Sequence, residues 1–182
     1  VIFVKNRDTS SNWDVYNVHI GNTKRLKLNS SAAEETQPAF NNQTPTSTVF
    51  YGLGGGSWHG VGSKMINYVF SEVAGYSKFG SYTGNGSSDG TFIFTGLTPA
   101  FILMKRTDSS SNWFILDNKR DPFNEVTKDL YPNTSGTETD NANFLDFLSN
   151  GFKLKTTGTA VNAGTIIYLA FAESPFKNSR AR

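Results

Sequence analysis

The sequence has no cysteine, so no disulfide staples the fold, no thiolate holds a metal, and stability has to come from packing. Histidine is nearly as scarce. His19 and His59 stand far apart with no His-x-x-x-His spacing, so neither a metal nor any other cofactor is expected. No apolar run approaches the roughly 20 residues that cross a bilayer, and no membrane insertion is expected. Charge of one sign is also missing, with 17 Lys plus Arg against 15 Asp plus Glu. The basic residues are scattered, apart from the tail Lys177, Arg180 and Arg182, so no phosphate-tracking surface forms and no nucleic-acid partner is expected. Helix signals are weak. The best stretch, Asn141 to Leu148, runs into Asn150-Gly151 and predicts one helical turn at most.

What the chain does have is glycine (17 residues), much Asn, Ser and Thr, and 14% aromatics, a balance that favours short strands joined by tight turns. With 182 residues, 37% of them hydrophobic, it can bury a core as one domain or two small ones. The expected class is all-β: an antiparallel β-sandwich of jelly-roll or concanavalin-A-like form.

The strongest signal is an internal duplication. VIFVKNRDTSSNW (Val1 to Trp13) aligns with FILMKRTDSSSNW (Phe101 to Trp113) at an offset of 100, with seven of thirteen positions identical. Each segment reads as strand, polar turn, strand. A second anchor pairs Met65 to Glu72 with Ile166 to Glu173 at an offset of 101, and Leu28-Asn29 and Pro132-Asn133 end comparable segments between the anchors. The expected units are a truncated first copy over 1–74 and a complete second copy over 75–182, with one fused sandwich as the alternative.

Ahead of the second copy, Phe79 to Gly86 and Gly90 to Pro99 read as two strands joined by a Gly/Asn turn, and the first copy has no counterpart. That deficit predicts an unpaired edge, placed here at Val1, Ile2, Phe3 and Val4, which would recruit another strand for assembly. The opening Val1-Ile-Phe-Val-Lys5 has no initiator Met or leader pattern and reads as a strand already under way, as in a fragment or a processed product.

Few residues suggest site chemistry. The loop from Gly52 to Lys64 has neither a G-x-G-x-x-G nor a G-x-x-x-x-G-K-[ST] pattern, so it reads as a flexible connection. Within it, Trp58 and His59 place an aromatic face beside a hydrogen-bonding ring, the pairing a sugar needs; the competing reading is a Trp that plugs a sheet end. Trp13 and Trp113 recur at equivalent places, which favours core packing. Asp8 and Asn12, like Asp108 and Asn112, suit capping of their turns, while Asp108 and Asn112 are also candidate glycan or cation contacts. Glu138 and Asp140 lack the third acid of a β-sandwich glycanase strand, and no nucleophile elbow is present, so catalysis is not expected. The recurring Glu72 and Glu173 predict ion pairs to Lys5 and Lys105.

The stretch from Val73 to Asn124, together with LDFLSNGFKL, IIYLAFAESPF and IGNTKRL, resembles a tandem-repeat module of tailed-bacteriophage structural proteins. Such modules sit near the C-terminus of long virion proteins of lectin-like or tail-fibre-like kind, and SPFKNSRAR resembles the natural end of that family. Ser57-Trp-His-Gly60 departs from the plainer Asn/Gly turn of the pattern. The resemblance implies a β-sandwich in an extracellular virion component and brings no agreed catalytic or ligand set. The expected function is a non-enzymatic, tail- or fibre-associated building block that assembles with itself and other virion proteins and binds host surface glycans. A scaffold or capsid-decorating protein without ligand, and a polysaccharide-degrading enzyme, are the alternatives.

Overall fold

The computed structural model describes residues 1–38, 40–52 and 62–174; Trp58, His59 and the basic tail lie outside the described residues. Strands β1 (Ile2–Asn6), β2 (Asp14–Tyr16), β3 (Lys24–Lys27), β4 (Glu35–Thr36) and β5 (Met65–Val69) form a first antiparallel sheet in the order β4-β3-β2-β1-β5. The rest of the chain contributes β6 (Ser77–Asn85), β7 (Phe92–Phe94), β8 (Pro99–Arg106), β9 (Trp113–Asp117), β10 (Val126–Asp129), β11 (Thr139–Leu148), β12 (Gly151–Leu154), the single turn α1 (Thr159–Asn162) and β13 (Ala163–Ala172). These strands divide between a middle sheet, β6-β13-β8-β9, and an outer sheet, β10-β11-β12-β7.

The middle sheet explains why FILMK and IIYLAFA do not alternate apolar with polar. Ile102, Met104, Ile166, Tyr168 and Ala170 face one core, shared with Phe144, Leu145, Phe152 and Leu154 of the outer sheet. Leu103, Trp113, Ile167 and Leu169 face a second core, shared with Phe3, Val15 and Leu26 of the first sheet. A strand covered on both faces needs apolar residues at every position. Each fully buried aliphatic side chain contributes roughly 1.5–3 kcal/mol.

The duplication extends to strand register. β1 pairs with β5 through Ile2–Val69, Phe3–Tyr68, Val4–Asn67, Lys5–Ile66 and Asn6–Met65. β8 pairs with β13 through Ile102–Ala170, Leu103–Leu169, Met104–Tyr168, Lys105–Ile167 and Arg106–Ile166, so shifts of 100 and 101 carry one ladder onto the other. The repeated phenylalanines Phe70 and Phe171 meet edge to face between the two sheets, with ring centroids 5.9 Å apart.

Three expectations are corrected. Val1 to Val4 do not form an edge: β1 lies between β2 and β5, Ile2, Phe3 and Val4 are buried, and Phe70 N–H donates to the Val1 carbonyl at 2.9 Å. The missing counterpart of β6 leaves β5 open instead, because β5 corresponds to β13, the strand that β6 covers. The segment Asn141 to Leu148 is strand, not a helical turn, since its Leu145 pairs with Leu154 and packs in the core. β6 and β7 are not a hairpin; the Gly/Asn turn between them carries the chain from the middle sheet to the outer one.

No third layer covers the far face of the first sheet among the described residues. Phe40 and Phe50, from the long connection before β5, pack there on Ile2, Val4 and Tyr16. Beside them Asp14 lies 3.1 Å from Arg25, which also holds Glu35 at 3.1 Å. Burial pushes the Asp14 carboxyl up to about 7, against the opposing pull of Arg25 and Lys27.

Candidate functional site

The repeated turns use their polar side chains to close themselves. Asn133 accepts from Trp113 N–H at 2.9 Å through Oδ1 and donates through Nδ2 to Asn112 Oδ1 at 2.8 Å. Asn29 does the same in the first copy, to Trp13 N–H at 2.9 Å and Asn12 Oδ1 at 3.1 Å. Asp108 takes Arg106 Nε at 2.8 Å, a hydrogen bond that holds its carboxyl below the usual range. Asp8 instead accepts from Lys64 N–H at 2.7 Å. Asp108 and Asn112 are therefore committed to protein partners. Asn133→Ala removes both bonds of its clamp and is expected to destabilise the fold by about 2 kcal/mol, measured by urea unfolding.

The first copy also docks on the second copy's turn. The Ser31 carbonyl accepts from Ser111 N–H at 2.8 Å, Ser110 Oγ at 3.2 Å and Lys105 Nζ at 3.3 Å, and the Glu34 amide donates to the Thr107 carbonyl at 2.8 Å. The predicted pairs to Lys5 and Lys105 do not form. Glu72 meets Lys78 at 2.9 Å and accepts from Phe79 N–H, while Glu173 lies 3.9 Å from Lys119. Lys5 and Lys105 donate to backbone carbonyls, Lys5 to Ser11 and Lys105 to Ser31 and Arg106.

Open chemistry lies on the far face of the outer sheet. Residues alternate along its strands, so with Phe152, Leu154 and Ile93 turned into the core, Lys153, Phe92 and Phe94 stand outside. The register sets Asp146, Lys153 and Phe92 side by side across three strands. Phe92 and Phe94 are 45% and 65% exposed, too open to be core residues. Opposite Phe94 is Gly151, where a Cβ would come within 2.0 Å of the Ile93 carbonyl oxygen, so no side chain can stand beside that ring.

Beside Phe92, across the ladder at Lys153, opens a cleft of about 820 Å³ lined by Asp89, Glu125, Asp146, Lys153, Lys155 and Thr156, among others, while Phe94 lines a separate hollow with Glu72, Gly75 and Lys78. Lys155 sits 3.3 Å from Glu125 and 3.5 Å from Asp146, and hydrogen bonding to Glu125 raises its own pKa. Lys153 binds Asp89 and lowers that carboxyl below its ordinary value. Each of these three carboxylates has an ammonium partner. The cleft sets three carboxylates and two ammonium groups beside one exposed ring, Phe92, an arrangement suited to a hydroxyl-rich ligand with an apolar C–H face. Among the described residues no cluster of His, Asp and Glu is arranged to hold a metal ion.

The sequence signal for this face was the period-two Thr91-Phe-Ile-Phe-Thr95 and Gly151-Phe-Lys-Leu-Lys155, which mark outward Phe and Lys positions. Asp146 was hidden in the segment read as a helical turn. These features define an all-antiparallel, duplicated β-sandwich protein with a polar cleft beside exposed Phe92 on its outermost sheet. The chain belongs to the family described as a domain of unknown function, DUF7483, which matches residues 1–175 and so spans both copies. No curated protein and no solved structure matches the chain.

Proposed function

We propose that this chain is a non-catalytic structural module of a tailed-bacteriophage virion, tail- or fibre-associated, that binds host surface carbohydrate on the far face of its outer sheet. Its partners are copies of itself, other virion proteins and that carbohydrate. The virion setting is supported by the resemblance of the repeat to phage modules. The carbohydrate reading is carried by one observation: exposed Phe92 stands across the ladder from Lys153, beside a cleft in which Asp89, Glu125 and Asp146 each have a lysine partner. A glycosidase needs one carboxyl group kept protonated as the acid. Carboxylates tied to Lys153 and Lys155 favour binding without turnover.

The test is an array of host surface polysaccharides probed with wild type, Phe92→Ala, Lys153→Ala and Trp58→Ala. Wild type is expected to bind, and Phe92→Ala to weaken binding about tenfold, the loss of one aromatic contact of roughly 1.4 kcal/mol. Loss confined to Trp58→Ala would move the site to that loop. A wild type that binds nothing would leave a scaffold, and release of shortened polysaccharide would make the protein an enzyme. Mass spectrometry of purified particles checks the setting; absence of the chain from them would overturn it.

A further inference from the structure

The open edge of β5 has a definite chemistry. Val1 and Phe70 exchange backbone hydrogen bonds at 3.0 and 2.9 Å, and antiparallel ladders alternate. Ile66 and Tyr68 therefore turn their backbone groups toward β1, while Met65, Asn67 and Val69 turn theirs away from the sheet. In the second copy the equivalent groups, on Ile166, Tyr168 and Ala170, meet β6. Among the described residues no strand lies beside β5 on that side.

Natural edges are blunted by charge, proline, a bulge or brevity. β5 has five residues, no charge, no proline and an unshifted register with β1. Tyr68 and Val69 on it, with Val73 and Tyr76 just beyond, are 48%, 57%, 51% and 43% exposed, forming an apolar run along and beyond this edge. Exposed Lys64 precedes the strand and exposed Glu72 follows it.

We propose that β5 pairs with β5 of a second copy, antiparallel about a twofold axis at Tyr68. A twofold axis perpendicular to a sheet makes two identical edges antiparallel. Centring on Tyr68 sets Asn67 opposite the second copy's Val69, so the outward backbone groups face each other. It also sets Lys64 opposite the second copy's Glu72 at both ends. Centring one residue earlier, on Asn67, also satisfies the backbone but leaves both charges without an opposite. The joined first sheets then run continuously through both copies. This inference rests on the self-assembly part of the proposed function and is independent of carbohydrate binding.

Sedimentation velocity should show a particle of twice the 20.0 kDa chain mass. The chain has no cysteine, so single cysteines report the register directly. Under mild oxidation Tyr68→Cys is expected to cross-link two chains and Val69→Cys is not. Lys64→Glu should weaken the dimer, and Lys64→Arg should keep it. A wild type that stays monomeric, a cross-link favouring position 67 or 69 over 68, or a Lys64→Glu variant that dimerises as wild type does would each overturn the proposal. Glycan binding by a monomer would leave the carbohydrate reading standing while removing this one.

Discussion

Trp113→Ala is expected to cost about 4 kcal/mol of stability, and Trp13→Ala only about 1 kcal/mol, although the two residues occupy the same place in the repeat. Trp113 is fully buried in the core between the first and middle sheets, and its indole Nε1 donates to the Lys27 carbonyl at 2.9 Å. Truncation leaves a large cavity and strips an acceptor of its partner. Trp13 is only partly buried and stacks on exposed Tyr68, with ring centroids 6.0 Å apart. Its removal forfeits one ring contact at the rim. Chemical denaturation of both variants checks the difference, and equal losses would show that the copies pack alike. A domain of this size has roughly 5–15 kcal/mol in total, so the Trp113 variant should unfold at much lower denaturant.

The second large effect is a pH dependence set by Lys105. Its side chain is wholly buried, donates to the Ser31 and Arg106 carbonyls, and is lowered by burial from 10.5 to about 8. Between those two values the unfolded chain holds a proton that the folded chain has released, so stability rises with pH through this window. Below pH 8 the cost of burying the charged ammonium is fully present. The rise amounts to about 3 kcal/mol by the conversion of a pKa shift into free energy. Above about pH 10 it is opposed by the tyrosines, because burial raises Tyr82 and Tyr168 and the unfolded chain then loses protons first. Lys105→Met should flatten the profile between pH 8 and 10 in denaturant titrations. A profile unchanged by the substitution would assign the rise to another group.

The duplication was legible because it is a local pattern: an apolar run, a lysine, an Asp-x-Ser-Ser-Asn turn and a tryptophan. That the first copy lacks a counterpart of β6 and β7 was legible as well. Which strand their absence would leave bare was not, since that depends on β5 returning some sixty residues later to lie beside β1, and pairing at such distance has no mark in either strand. Asn141 to Leu148 misled for a related reason. Phe144, Leu145 and Leu148 sit at helical spacing, yet β10 and β12 supply the pairing that makes the segment a strand. The cleft stayed hidden because Asp89, Glu125, Asp146 and Lys155 come from separate elements, each reading alone as solvated surface.

The middle sheet has one further consequence. It supplies a wall to each of the two large cores: the core toward the outer sheet is lined by second-copy residues alone, whereas the core toward the first sheet joins Phe3, Val15 and Leu26 to second-copy residues, so the first copy depends on the second to close its main interior. A crossover or truncation that cut the chain at the start of the second copy would leave the first with half of its hydrophobic lining facing water. In evolutionary terms the dependence runs one way: the first copy has to travel with the second, while the second holds a two-sheet core of its own.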